Sequence, residues 1–261
     1  MKIPFFQVDA FSSNAFGGNP AAVCVLNSWL DNKVLQNIAA ENNLSETAFL
    51  VPKSSGNYEL KWFTPTIEVD LCGHATLASA FILFRYYDQD KSVIKFQTAS
   101  AELTVEKSED LLSMNFPARP PVETAPPEIL TEALGVKASY VLESRDLLAV
   151  FDEENIIQNM TPDFDKIKKI KNYFAVIVSA PGKRADFVSR FFAPNAGINE
   201  DPVTGSAHCT LVPYWAERLH KNKLHAYQLS SRKGELFCEY FRDRVRISGR
   251  STLFAKGEIY I

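Results

Sequence analysis

Hydrophobic and polar positions along the chain trace one long pattern twice. The first copy runs "AAVCVLNSWLDNKVLQNIAAENNLSETAFLVPKSSGNYELKWFTP", the second "LLAVFDEENIIQNMTPDFDKIKKIKNYFAVIVSAPGKRADFVSRFFAP". Each reads as strand, turn, short helix, strand, turn, strand, because short apolar runs are bounded by polar and turn residues. Each ends in Phe-x-Pro, at Phe63-Thr64-Pro65 and Phe192-Ala193-Pro194. A glycine then leads into small residues, "CGHATLASA" and "TGSAHCTL", and a similar strand pair follows, "FQTASAELTVE" and "YQLSSRKGELFCE". Four matched blocks in one order point to a duplication, at a period too long for a solenoid.

The pattern weakens around "PARPPVETAPPE", where prolines and polar residues replace apolar periodicity. This places an N-terminal half over 1–117 and a C-terminal half over 118–249, with a final strand over about 250–261 returning to the first half. Strands dominate, with one helix in the middle of each half. The expected class is therefore α+β (mixed α/β): two pseudo-symmetric halves, each a curved, barrel-like sheet around a central buried helix. The first central helix is apolar nearly all round, with Leu77, Phe81, Ile82, Leu83 and Phe84 among alanines, so it must be buried. The second carries Pro213, which is expected to kink it or displace its first turns.

Length, charge and cysteine content narrow the function. The 261 residues suffice for a sizeable core. A net charge of −3 and no basic run of five argue against nucleic acid and against a polybasic membrane contact. The start "MKIPFFQVDAF" reads as a strand rather than a secretory leader, and "ATLASAFILF" is too short to span a bilayer. Four cysteines in a chain this long make no disulfide scaffold, which suggests reduced thiols and a cytoplasmic location. "FGGNP" lacks the spacing of a phosphate loop or a dinucleotide fingerprint.

Aligning the central helices pairs Cys72 with Thr204, Gly73 with Gly205 and His74 with Ser206. The first amides of a helix lack internal partners and carry partial positive charge, and glycine lets a ligand approach them. Either glycine-led start alone would be an ordinary cap or turn. The same device at matched positions points to an anion site in a cleft between the halves, formed by Gly73-His74 and Gly205-Ser206. The acids are not matched. Glu46 in "LSETAF" aligns with Tyr173, and Asp201 in "EDPVTGS" sits in an insertion that the first half lacks. By position alone, Glu46 fits a helix-flanking surface acid as well as it fits a buried site. Lodged among Ala48, Phe49 and the helix ends, its carboxyl would be pushed up by desolvation and suit proton transfer.

The blocks "FQVDAF…GNPAAVCVL", "LSETAF", "WFTP…LCGHATLASA" and "FFAP…EDPVTGSAH" resemble the phenazine-biosynthesis PhzF-like family of isomerases and putative epimerases, over nearly the whole chain. The resemblance implies a diaminopimelate-epimerase-like fold, proton transfer between carbons of a small carboxylate or amino-acid-like substrate, no cofactor, and a homodimer. It implies that Glu46 is the acid/base and that His74 and Asp201 line the site and orient the substrate. It also implies that Gly73, His74, Gly205 and Ser206 offer amides to a carboxylate, with Ser45, Asn19 and Thr204 as further substrate contacts. Ala101 replaces the glycine usual in its strand-pair turn.

Three other readings compete. A racemase or epimerase using Cys72 would need a second thiol, but the matched residue is Thr204, so Cys72 reads as a small buried packing residue. Cys72, His74, His208 and Cys209 lack the spacing of a closed zinc site, and no metal ligand is expected. A non-catalytic small-molecule-binding or partner-binding protein could keep the same fold. Deuterium labelling of a substrate in heavy water separates an enzyme from a binder.

Overall fold

The computed structural model describes residues 1–261 and divides into two compact units, Met1–Asn115 with Ser248–Ile261, and Phe116–Ile247. In chain order the first unit contains β1 (Lys2–Ala10), β2 (Asn19–Val25), α1 (Asn32–Asn42), β3 (Glu46–Ser54), β4 (Asn57–Phe63), β5 (Glu68–Val69), α2 (Gly73–Tyr86), β6 (Val93–Gln97), β7 (Glu102–Ser108) and β8 (Leu111–Pro117). The second contains β9 (Val122–Glu123), α3 (Leu130–Leu134), β10 (Tyr140–Glu143), β11 (Leu147–Val150), α4 (Glu154–Asn159), α5 (Phe164–Ile167), β12 (Val176–Pro181), β13 (Phe187–Phe192), α6 (Gly205–Leu219), β14 (Lys223–Gln228), β15 (Gly234–Tyr240) and β16 (Arg244–Gly249). The last strand, β17 (Ser251–Tyr260), pairs antiparallel with β1.

In the first unit β2 and β3 run parallel through the α1 crossover, and β4 and β6 run parallel through α2. The pairs β1–β2, β3–β4, β6–β7 and β7–β8 are antiparallel. The helix α2 touches β1, β2, β3, β7 and β17, strands from opposite ends of this order, so the sheet curls round it. All but four of its residues are buried, as an apolar helix without a solvent face requires. The outer face packs on α1 through Leu35, Ile38 and Ala39 against Phe49 and Phe63. With both faces covered, β3 is buried without interruption from Thr47 to Val51 and does not alternate.

The second unit repeats these strand senses. β11 and β12 are parallel, β12 and β13 antiparallel, β13 and β14 parallel through α6, and β14 and β15 antiparallel. Its main apolar cluster joins α3, α4 and α5 to β11, β12 and β13 through Leu134, Ile157, Ile167, Val178 and Phe192. No helix of the chain is long and apolar enough to cross a membrane.

Pro213 leaves α6 continuous from Gly205, so the expected displacement of its first turns does not occur. Lacking an N–H, Pro213 cannot donate to the carbonyl of Cys209 one turn earlier. The backbone N–H of Arg119 donates to that carbonyl instead, at 2.8 Å. The proline-rich segment after β8 thus supplies the bond that the helix lost, and the first turns stay in place.

Candidate functional site

The start of β3 and the start of α2 meet in the first unit. An Asn43 in the left-handed region (φ 47°) ends α1 and turns the chain into Ser45 and Glu46. Cys72 precedes α2 in extended conformation, and its side chain does not cap the helix. The next two residues, Gly73 and His74, therefore open α2 with amides that no N-cap side chain takes. His74 Nε2 stands 3.0 Å from Glu46 Oε2, and its Nδ1 stands 3.5 Å from Cys72 Sγ. The imidazole lies between an acid and a thiol. Both His74 and Cys72 are 7% exposed, and Glu46 is partly buried. The third candidate on this side, Asn19, is fully buried at the first position of β2.

The charge state of Glu46 differs from the expectation of a desolvated, raised carboxyl. Burial is the largest single influence and pushes it up, but the charge of His74 together with hydrogen bonding from His74 and Cys72 outweighs burial and holds Glu46 below the ordinary carboxylate value. Burial in turn pushes His74 down, and its Cys72 and Glu46 neighbours overcome this and raise it well above 6.5. Both shifts favour the carboxylate–imidazolium form of the pair. Burial and the Glu46 charge both push the Cys72 thiol up, and the His74 charge and contact pull it down by less. Cys72 is more than packing, because its sulfur touches the His74 ring.

The start of α6 is built differently. Thr204 is its N-cap in extended conformation, and the hydroxyl does not cap the helix but donates to Asp201 Oδ2 at 2.5 Å. The Thr204 N–H donates to Gln228 Oε1 at 2.9 Å, and Gln228 Nε2 donates to the Asp201 carbonyl at 2.8 Å. The buried Gln228 thereby braces the whole turn that presents Asp201, Thr204, Gly205 and Ser206. Gly205 is buried, yet a Cβ built on it would meet nothing within 4 Å. Open space thus faces the first residue of this helix.

Two residues here escaped the sequence reading. Gln228 was visible as half of a matched pair: its counterpart Gln97 is exposed and accepts from Lys53 Nζ at 3.0 Å, so only the second copy turns inward as a brace. Arg145 carried no local signal. Its Nη2 lies 3.3 Å from Ser206 Oγ, and its guanidinium forks onto buried Asp146. His208 and Cys209 belong to the interior of α6. His208 is fully buried, with Nδ1 donating to the Thr204 carbonyl at 2.9 Å, and burial pushes its ring down to about 4.

A carboxylate poised beside a cationic imidazole can take a proton from carbon while the imidazolium steadies the charge that moves. Known proteins carry the same architecture. An uncharacterized isomerase of Pseudomonas aeruginosa is 51% identical over 261 residues, covering all of both chains. Another uncharacterized isomerase, of Halalkalibacterium halodurans, is 44% identical over all of both chains. The crystal structure of a PhzF-family phenazine biosynthesis protein of Enterococcus faecalis superposes with a TM-score of 0.98 at 48% identity, again covering both chains fully. A hydroxyproline epimerase of Agrobacterium vitis shares the fold alone, with a TM-score of 0.61 at 9% identity over 99% of this chain and 92% of that one. The family model for phenazine biosynthesis-like proteins matches residues 8–257, and the chain belongs to this PhzC-PhzF family.

Proposed function

We propose that the chain is an isomerase that moves a proton between carbons of a small carboxylate or amino-acid-like substrate, by acid/base catalysis and without a cofactor. The observation that carries this reading is the 3.0 Å approach of His74 Nε2 to Glu46 Oε2 in a nearly closed environment. Glu46 takes the carbon-bound proton as a carboxylate and returns it to another carbon. His74 orients Glu46 and keeps it ionised until substrate arrives. The amides of Gly73 and His74 on one unit, and those of Gly205 and Ser206 on the other, are each offered to a carboxylate, as helix starts favour anions. Asp201 meets the cationic or hydrogen-bonding end of the substrate, with Thr204, Ser45 and Asn19 as further contacts. Two relatives, of Pseudomonas aeruginosa and Halalkalibacterium halodurans, are named isomerases, which supports the class of reaction.

The test is deuterium incorporation from heavy water into a panel of small amino-acid-like carboxylates, for wild type and Glu46→Gln. Wild type should label its substrate. The variant should lose ~10²- to 10⁴-fold in rate, the usual contribution of a positioned acid or base, with ligand binding retained. A fully active Gln variant removes Glu46 from the mechanism. Wild type that binds a panel member and never labels it is a binding protein.

A further inference from the structure

Three different donor types converge where β3 meets α2: the Glu46 carboxylate, the Cys72 sulfur and the His74 ring. One ligating atom from each lies within 4.8 Å of the other two. His74 Nε2 is 3.0 Å from Glu46 Oε2 and 4.0 Å from Cys72 Sγ. Around a tetrahedral zinc, with Zn–S of about 2.3 Å and Zn–N and Zn–O of about 2.0 Å, donor atoms stand roughly 3.3 to 3.6 Å apart. Rotamer adjustments of a few tenths of an ångström bring the nitrogen to those spacings from oxygen and sulfur. Glu46 Oε2 is buried and faces the His74 ring at 3.0 Å without an aligned hydrogen bond, so an ion between them would give both atoms a ligand bond.

The donor set selects the ion. Thiolate, imidazole and carboxylate together suit a borderline cation such as Zn²⁺ or Co²⁺, whereas Mg²⁺ and Ca²⁺ prefer oxygen throughout. Two anionic donors and a divalent ion also sum to zero, so the filled site buries no net charge. Three protein donors leave the fourth position open, unlike a closed structural site. The spacing of Cys72 and His74 could not reveal this, because the third donor comes from a strand 26 positions earlier in the chain.

We propose that Glu46, Cys72 and His74 form an open-faced site for a zinc-like divalent ion, and that filling it silences the proton transfer. Thiol and imidazole bind metal only when deprotonated at the ligating atom, so the Cys72 Sγ–H proton, and the His74 ring proton where the ring is charged, pass to solvent as the three metal–ligand bonds form. The Glu46 lone pair that would accept a carbon-bound proton is then held by the metal. Metal binding stands by itself; the silencing rests on the proposed acid/base role of Glu46.

Cobalt reports on the site without any substrate. Metal-free, reduced full-length protein titrated with Co²⁺ should show one equivalent of thiolate-to-cobalt charge-transfer absorption with tetrahedral visible bands, which Zn²⁺ then abolishes. Cys72→Ser should lose the charge-transfer band. Cys209→Ala, which removes a buried thiol elsewhere, should keep it. Glu46→Gln is nearly isosteric and guards against misfolding of the serine variant. It should weaken Co²⁺ by at least about tenfold, the loss that even outer-sphere partners cause. No charge-transfer band in wild type, a band that survives Cys72→Ser, or unchanged affinity in Glu46→Gln overturns the site. Deuterium exchange that continues with zinc bound overturns the silencing alone. The cobalt spectrum is independent of turnover, so its failure leaves the isomerase reading standing, and failure of that reading leaves the metal site standing.

Discussion

Gly205→Ala separates ligand binding from folding, because the structure gives the two effects different sizes. Gly205 is the first residue of α6, and its φ lies outside the left-handed region that only glycine adopts readily. A methyl group there meets nothing within 4 Å, so the substitution brings no clash. Replacing helical glycine by alanine is worth about 0.5–1 kcal/mol in backbone entropy, and less at a first position. The methyl has no neighbour to pack against, so burial adds little. The variant should thus match or exceed wild-type stability by at most about 1 kcal/mol, a rise in Tm of no more than about 4 °C for a chain of this size. Carboxylate binding should move the other way. If the open space at Gly205 is where a carboxylate meets the Gly205 and Ser206 amides, as proposed, the methyl fills it, and each lost hydrogen bond to a charged group costs about 1.5–3 kcal/mol. One such bond is already a loss of about 10- to 100-fold in affinity. Thermal melts give the first quantity. A titration of ¹⁵N-labelled protein with acetate, following the Ser206 amide resonance, gives the second. An alanine variant that melts like wild type and binds acetate equally well would refute the idea that the opening at Gly205 seats an anion.

Two buried histidines of opposite sign should shape stability against pH. His74 is raised well above 6.5, so the stability it contributes is complete below 6.5 and drains as pH rises through its folded value. His208 is held near 4, so the unfolded chain takes up a proton that the folded chain refuses, and stability falls as pH drops from 6.5 to 4, by on the order of 3 kcal/mol. Urea midpoints from pH 4 to 9 should peak near 6.5. Relative to wild type, His74→Asn should flatten the alkaline limb and His208→Gln the acid limb, and limbs that survive both substitutions would contradict these assignments. Arg119→Pro removes the N–H that serves the Cys209 carbonyl of the same helix and should cost about 1–3 kcal/mol beyond Arg119→Ala. Adding Pro213→Ala should recover most of that loss, because the alanine N–H restores the helical donor; strictly additive urea-denaturation energies would show that the two bonds do not substitute for each other.

What the chain states locally was legible in its sequence. The apolar run of α2 declares a buried helix because no face of it is polar. Short apolar segments between turn residues declare strands, and the repeated blocks declare that the second unit copies the strand senses of the first. The glycines at 73 and 205 mark helix starts because small residues and a change of hydrophobic period surround them. Glu46 stood out by lacking a matched acid. Its charge state did not, since that depends on an imidazole 28 positions later in the chain arriving 3.0 Å away and, together with Cys72, outweighing the desolvation that position alone suggests. The same holds for Gln228 bracing the Asp201 turn, for Arg145 reaching Ser206, and for Arg119 taking the carbonyl that Pro213 abandons. Periodicity and turn chemistry are written in neighbouring residues. Protonation states and the partners of buried polar atoms are set by through-space contacts between distant segments, which only the folded chain brings within a few ångströms.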